Sequence, residues 1–76
     1  MKFTRQMKSI LRLAALRADR GEVYVDLIEI VVDGHNAKLA ANRLLNAGLL
    51  QEMAIGDRKG VVITEQGRAA LKDIGG

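Results

Sequence analysis

Residues 49–63 read LLQEMAIGDRKGVVI, two β-prone runs on either side of a charged loop bounded by Gly56 and Gly60. The aliphatic residues of each run favour strands, and the two glycines favour a turn between them. The pattern therefore predicts a β-hairpin over residues 50–63, with Arg58 and Lys59 at its tip.

A helix is predicted on each side of this hairpin. Asn36 is a candidate N-cap for a helix that runs to Ala47 and stops at Gly48. Thr64 is a candidate N-cap for a short final helix, in which Glu65 complements the helix dipole. The residues predicted to face inward are Ala37, Ala40, Ala41 and Leu44 in the first helix, and Gly67, Ala70, Leu71 and Ile74 in the second.

The amino-terminal part of the chain predicts an amphipathic helix. Between Thr4 and Asp19, apolar residues recur at three- and four-residue steps, and basic residues lie outside that stripe. Thr4 is a candidate N-cap and Gly21 a candidate stop. The stripe consists of Met7, Ile10, Leu11, Ala14 and Ala18, and it is widened by Leu13 and Leu16.

Residues 22–33 allow two interpretations. In the preferred one, Val23 to Val25 is a short strand, Asp26 caps a short helix from Leu27 to Val32, and Gly34 ends that helix. In the other, the whole stretch is one strand, as its β-branched residues favour. The first is preferred because it separates the aliphatic residues from three acids, which then form a solvated face.

Length and composition restrict the class of protein. The chain has 76 residues, 49% of them hydrophobic and 28% charged, which is typical of one small globular domain spanning residues 1–76. No cysteine and one histidine are present, which excludes disulfides and a thiolate zinc site. No apolar run approaches the roughly 20 residues of a membrane span, and no signal-peptide core follows Met1. We therefore expect a cytoplasmic protein.

The charge balance favours an anionic partner without requiring one. The formal net charge is +3 and the pI is about 9.7. Six basic residues lie in the first 20 positions, whereas residues 22–33 hold four acids and no base. Aromatic residues make up 3% of the chain, too few for a protein that binds single strands by base stacking.

The predicted order of elements is helix, short strand, short helix, turn, helix, hairpin, helix, as in a winged helix-turn-helix domain. Two stretches resemble bacterial and archaeal winged-helix regulators of the MarR-like and PadR-like kind. Residues 42–50, NRLLNAGLL, resemble the L-x-x-A-G-L-[LIV] end of a recognition helix, and residues 63–71, ITEQGRAAL, resemble the L-T-E-x-G-R-x-x-L that follows the wing. The resemblance covers residues 36–74, whereas residues 4–34 fit by pattern only.

The resemblance implies a small α+β winged helix-turn-helix fold, with a three-helix core, a two- to three-stranded β wing and a short C-terminal helix. It also implies a transcriptional regulator that binds double-stranded DNA, with helix 36–47 in the major groove and the hairpin tip on the adjacent backbone or minor groove. Arginine can read guanine, asparagine can read adenine, and lysine neutralises phosphate. The candidate DNA-binding residues are Lys38, Asn42, Arg43, Asn46, Arg58 and Lys59.

Two further expectations concern protein partners. Leu39 and Leu45 lie at outward or boundary positions of helix 36–47, so the alternative function is a winged-helix adaptor that binds another protein and no nucleic acid. A homodimer is also expected, formed through the broad stripe of the first helix or through the carboxyl-terminal helix.

No enzymatic activity, cofactor or metal is expected. His35 stands alone without cysteine, and Ser9 has no histidine near it in sequence. The loop from Gly56 to Gly60 lacks the Lys-Ser/Thr pair of a phosphate-binding loop, so its glycines are assigned to turn formation.

Overall fold

A computed structural model describes residues 2–21, 25–26, 31–32, 35–36 and 38–74. Within these ranges the chain is an α+β structure with three helices and an antiparallel sheet built around the predicted hairpin. The elements are α1 Arg5–Asp19, β1 Val25–Asp26, β2 Val31–Val32, β3 His35–Asn36, α2 Lys38–Asn46, β4 Leu50–Ile55, β5 Arg58–Ile63 and α3 Glu65–Asp73.

Helix α1 begins where predicted because Thr4 caps it. The Met7 N–H donates a hydrogen bond of 3.2 Å to Thr4 Oγ1, and Gly21 follows the helix with a φ of +83°. One residue of the predicted apolar stripe is wrong: Ala15 is buried, whereas Ala18, which was predicted to be in the stripe, is only half-buried. The reason is that α3 packs on the Ala15 side of α1, and the periodicity of α1 cannot predict that contact.

The prediction for residues 27–36 is wrong wherever the structure describes it. Val31–Val32 form β2 instead of the end of a helix, and β2 pairs antiparallel with His35–Asn36. Asn36 therefore belongs to a strand and does not cap α2, which begins at Lys38. The β-branched residues pair locally, so their strand propensity outweighs the helical pattern. Residues 23–24, 27–30 and 33–34, on which the rest of this prediction falls, lie outside the described residues.

Strand β5 is the centre of the three-stranded sheet. It pairs with β4 from Leu50 opposite Ile63 to Ile55 opposite Arg58, and with β1 on its other edge. The predicted hairpin is confirmed, but its turn contains only two residues, Gly56 and Asp57. Gly56 has a φ of +60°, which glycine adopts readily and which a tight two-residue hairpin turn requires. Arg58, Lys59 and Gly60, predicted in the loop, are the first three residues of β5.

The core lies where α1 and α2 meet the base of the hairpin. Its side chains are apolar and non-aromatic, in keeping with the scarcity of aromatic residues in the chain. The buried core residues are Met7, Ile10, Leu11, Ala14, Ala15, Ala40, Ala41, Leu44, Leu50, Val61 and Leu71.

No helix in the described ranges combines the length and apolar character that a bilayer crossing needs.

A junction links the end of α2 to the start of α3. Thr64 Oγ1 accepts a 3.0 Å hydrogen bond from the Gly67 N–H and donates one of 2.7 Å to the Gly48 carbonyl. The Thr64 N–H donates to the Leu49 carbonyl at 3.2 Å. Gly67 is buried because the Leu49 carbonyl and the Ile63 side chain occupy the space that a Cβ would need. The two stretches that resemble winged-helix regulators therefore meet here.

The two capping threonines allow a matched test of this junction. We expect Thr4→Ala to lower the free energy of unfolding by about 1 kcal/mol, because it removes only an N-cap. We expect Thr64→Ala to lower it by about 2 kcal/mol, because the bond to the Gly48 carbonyl is lost as well. Urea denaturation of both variants measures the difference, and equal losses would show that the junction bond contributes nothing.

Candidate nucleic-acid interface

Helix α2 presents one polar face to solvent. Lys38, Asn42, Arg43 and Asn46, the four helix residues predicted for DNA binding, are all exposed on it. Their spacing of three and four residues places them side by side. Leu39 lies among them and is 68% exposed. We call these five residues the α2 face.

The opposite side of α2 holds this face in position. Ala40, Ala41 and Leu44 are buried against the core, and their small or compact side chains allow α2 to approach α1 closely. The sequence of α2 contains two cations and no acid, so the face has a local charge of +2. The result is a cationic helix supported by packing from behind.

A shallow cleft separates α2 from strand β4. It is lined on the helix side by Asn42 and Asn46, and on the strand side by Gln51 and Glu52, with Leu45 and Leu50 at its base. Glu52 is exposed, and its carboxylate lies beside the α2 face, which the sequence analysis did not predict. The short connection from Asn46 to Leu50 could have indicated this proximity, because it forces the first residues of β4 to lie beside the helix.

A second cleft borders the other side of the α2 face. It is lined by Lys2, Met7, Arg43, Asn46 and Ala47. Lys2 is exposed, so the segment before α1 adds a second cation next to Arg43. This residue was also missed, because its distance in sequence from Arg43 hides their proximity. The α2 face therefore has a cationic flank at Lys2, next to Arg43, and an acidic flank at Glu52.

The hairpin tip carries mixed charge. Lys59 is exposed and pairs across the hairpin with Ala54, while the exposed Asp57 occupies the turn. Strand alternation places Lys59 on the same side of the hairpin as Glu52, whose partner is Val61. The Arg58 side chain lies outside the described part of the structure. Neither cleft beside α2 is lined by Lys59.

The two leucines proposed for protein docking are separated by the fold. Leu39 is exposed, whereas Leu45 is half-buried and packs against the core. Leu39 and Leu45 therefore do not form one docking surface.

His35 lies in β3, and the described residues include no group of three or more His, Asp or Glu able to hold a metal ion.

Comparison of the chain with protein-family models, curated proteins and solved structures finds no match. What the described residues define is a small α+β protein that presents a cationic helix next to a β-hairpin.

Proposed function

We propose that this protein binds double-stranded DNA as a winged-helix transcriptional regulator, with α2 in the major groove and the β4–β5 hairpin against the adjacent backbone. The observation that carries the proposal is the α2 face. It exposes two cations and two asparagines on one side of a helix whose other side is anchored in the core. An exposed helix supported in this way suits major-groove insertion.

The order of elements supports a winged-helix fold from α2 onward. Helix α2 is followed by a two-stranded hairpin and then by α3, and β1 adds to the hairpin on the edge away from β4. The segment before α2 departs from a helix-turn-helix, because β2 and β3 pair there. The proposal therefore depends on α2 and the hairpin.

The residues of the α2 face divide by chemistry. Asn42 and Asn46 can each donate to and accept from an adenine edge, and Leu39 offers an apolar contact to a thymine methyl group. Arg43, flanked by Lys2, and Lys38 are assigned to phosphate or guanine. Arg58 and Lys59 are assigned to backbone phosphates beside the groove.

We expect duplex binding that weakens steeply with salt. About five phosphate contacts, from Lys2, Lys38, Arg43, Arg58 and Lys59, give a roughly 500-fold loss of affinity between about 50 and 200 mM salt. Fluorescence anisotropy of a mixed-sequence duplex of about 30 base pairs measures this. Absence of binding at the lower salt, or binding that does not change with salt, would contradict the proposal.

A second candidate function is a protein-interaction adaptor that does not bind nucleic acid. The exposure of Leu39 in the middle of the α2 face favours it, because an aliphatic side chain gains from burial by a partner. The salt titration separates the two candidates, since an adaptor gives no anisotropy change with duplex DNA at either salt concentration.

A further inference from the structure

A groove between α1 and α3 contains no residue of the α2 face. Its apolar floor consists of Ala15 and Leu71, which are buried, and of Leu16, which is 48% exposed. Leu16 and Leu39 are the large hydrophobic residues that the structure shows exposed within the described ranges. We call this feature the α1–α3 groove. Its open apolar floor favours an occupant that brings apolar side chains of its own.

Three cations and one acid line the same groove. The cations are Arg12 on α1 and Arg68 and Lys72 on α3, and the acid is Asp19. An Asp19 carboxylate oxygen lies 3.3 Å from a terminal nitrogen of Arg68, so these two charges offset each other. The other two cations are exposed, and three positive charges with one negative charge leave the groove at +2. The groove therefore favours carboxylates in its occupant.

The dimensions of the groove fit a short helix. Its α1 wall extends from Arg12 to Asp19, which is seven residues, or two helical turns and about 10 Å. Its α3 wall carries Arg68 and Lys72, which are four residues apart and therefore lie on one face of α3. A helix that lies between two others packs its apolar stripe on the floor and turns the residues at both edges of that stripe toward the walls.

We propose that the α1–α3 groove binds a short acidic amphipathic helix of another protein. Aliphatic residues of that helix pack on Leu16 and Ala15. Carboxylates at the two edges of its apolar stripe pair with Arg12 on the α1 wall and with Lys72 on the α3 wall.

Charge and apolar floor together identify this occupant. A nucleic acid supplies phosphates for the cations, but it brings no aliphatic side chains to Leu16, and Asp19 would repel it. A second copy of α1 carries Arg12 as well as Asp19 on this face, so its two charges cancel and leave the +2 of the groove uncompensated. The proposal does not rest on DNA binding, because the groove and the α2 face share no residue.

Fluorescence anisotropy of a labelled synthetic peptide tests the proposal. The probe is an alanine-based helix of about 16 residues with two leucines four positions apart and a glutamate at each edge of that leucine stripe. We expect a dissociation constant on the order of 100 µM, because the contact is small. One control peptide has lysines in place of the glutamates and another has glutamines in place of the leucines. Each should bind roughly tenfold more weakly or worse.

Substitutions in the protein test whether the peptide lies in the groove. Arg12→Glu and Lys72→Glu should each weaken binding of the acidic peptide about fivefold, because each replaces an attraction by a repulsion. The double variant should prefer the lysine peptide over the glutamate peptide. Lys59→Glu makes the same charge change on the hairpin and should leave binding within about twofold of wild type.

The apolar contact is tested with two matched leucines. Leu16→Gln should weaken binding of the acidic peptide about fivefold, whereas Leu39→Gln should leave it within about twofold, because only Leu16 lines the groove. Circular dichroism checks that every variant folds.

Three outcomes would overturn the proposal. The first is an acidic peptide that binds no more tightly than either control peptide, or that does not bind at about 1 mM protein. The second is binding that the groove substitutions weaken no more than Lys59→Glu and Leu39→Gln do. The third is a dimer, seen by sedimentation equilibrium, that Leu16→Gln weakens and the acidic peptide does not dissociate, which would make a second copy the occupant. All these measurements are made without DNA, so their failure is distinct from a failure to bind DNA.

Discussion

Replacing Gly67 with alanine is expected to lower the free energy of unfolding by about 2–3 kcal/mol. A Cβ at this position would collide with the Leu49 carbonyl oxygen and lie 2.8 Å from the Ile63 side chain. The nearest atom belongs to the backbone and accepts the Thr64 N–H, so moving it would also strain the junction. Alanine gains about 1 kcal/mol in helix propensity, but overpacking costs more than that.

Thermal unfolding measures this effect, which corresponds to roughly a 10–20 °C decrease in Tm for a domain of this size. Gln66→Ala is the control, because it introduces the same residue at the exposed neighbouring position of α3. We expect it to be neutral or slightly stabilising. A Gly67→Ala variant as stable as the wild type would mean that α3 does not approach the Leu49 backbone closely.

Reversing the charge of Arg43 is expected to cause the largest loss of DNA affinity. Arg43 lies on the α2 face and lines a cleft with Lys2, so glutamate there would remove a contact and repel phosphate. We expect Arg43→Glu to weaken duplex binding roughly 30-fold, about 2 kcal/mol, and Lys59→Glu to weaken it less, because Lys59 is not in that cleft. Anisotropy at about 50 mM salt measures both, and circular dichroism checks folding.

Two further variants test whether the effect of a charge change depends on its position relative to the α2 face. Arg20→Glu makes the same change at the carboxyl end of α1, about 22 Å of helix away from the Lys2 end, and should have little effect beyond the Debye length. Glu52→Gln should strengthen binding severalfold, because it removes a carboxylate beside the α2 face. Equal losses from Arg43→Glu and Arg20→Glu would indicate binding through net charge and not through α2.

The residues that resemble winged-helix regulators have an architectural role in this structure. Gly48, Thr64 and Gly67 stand out in sequence, and they form the junction that holds α3 against the end of α2. The residues that carry the resemblance therefore determine how the helices and the hairpin are joined. The residues proposed to contact DNA lie outside that junction, which is why their role needs its own test.

Local signals were sufficient for the elements whose ends are capped within a few residues. The Thr4 and Thr64 caps, the glycine after α1 and the β-prone runs on both sides of the glycine-bounded loop act through neighbours in sequence, and those predictions are confirmed. Residues 31–32 were mispredicted because two valines fit either a helix or a strand until the partner strand is known.

The sequence by itself determined the α1 and α3 boundaries, the hairpin and the side of α2 that carries Lys38, Asn42, Arg43 and Asn46, because each depends on caps, turn residues or periodicity within a short stretch of chain. Only the tertiary structure decided that Lys2 and Glu52 flank that face and that Ala15 is buried while Leu16 is exposed. These features depend on which elements pack side by side. Periodicity tells which residues share a face, but the neighbour that covers the face comes from distant parts of the chain.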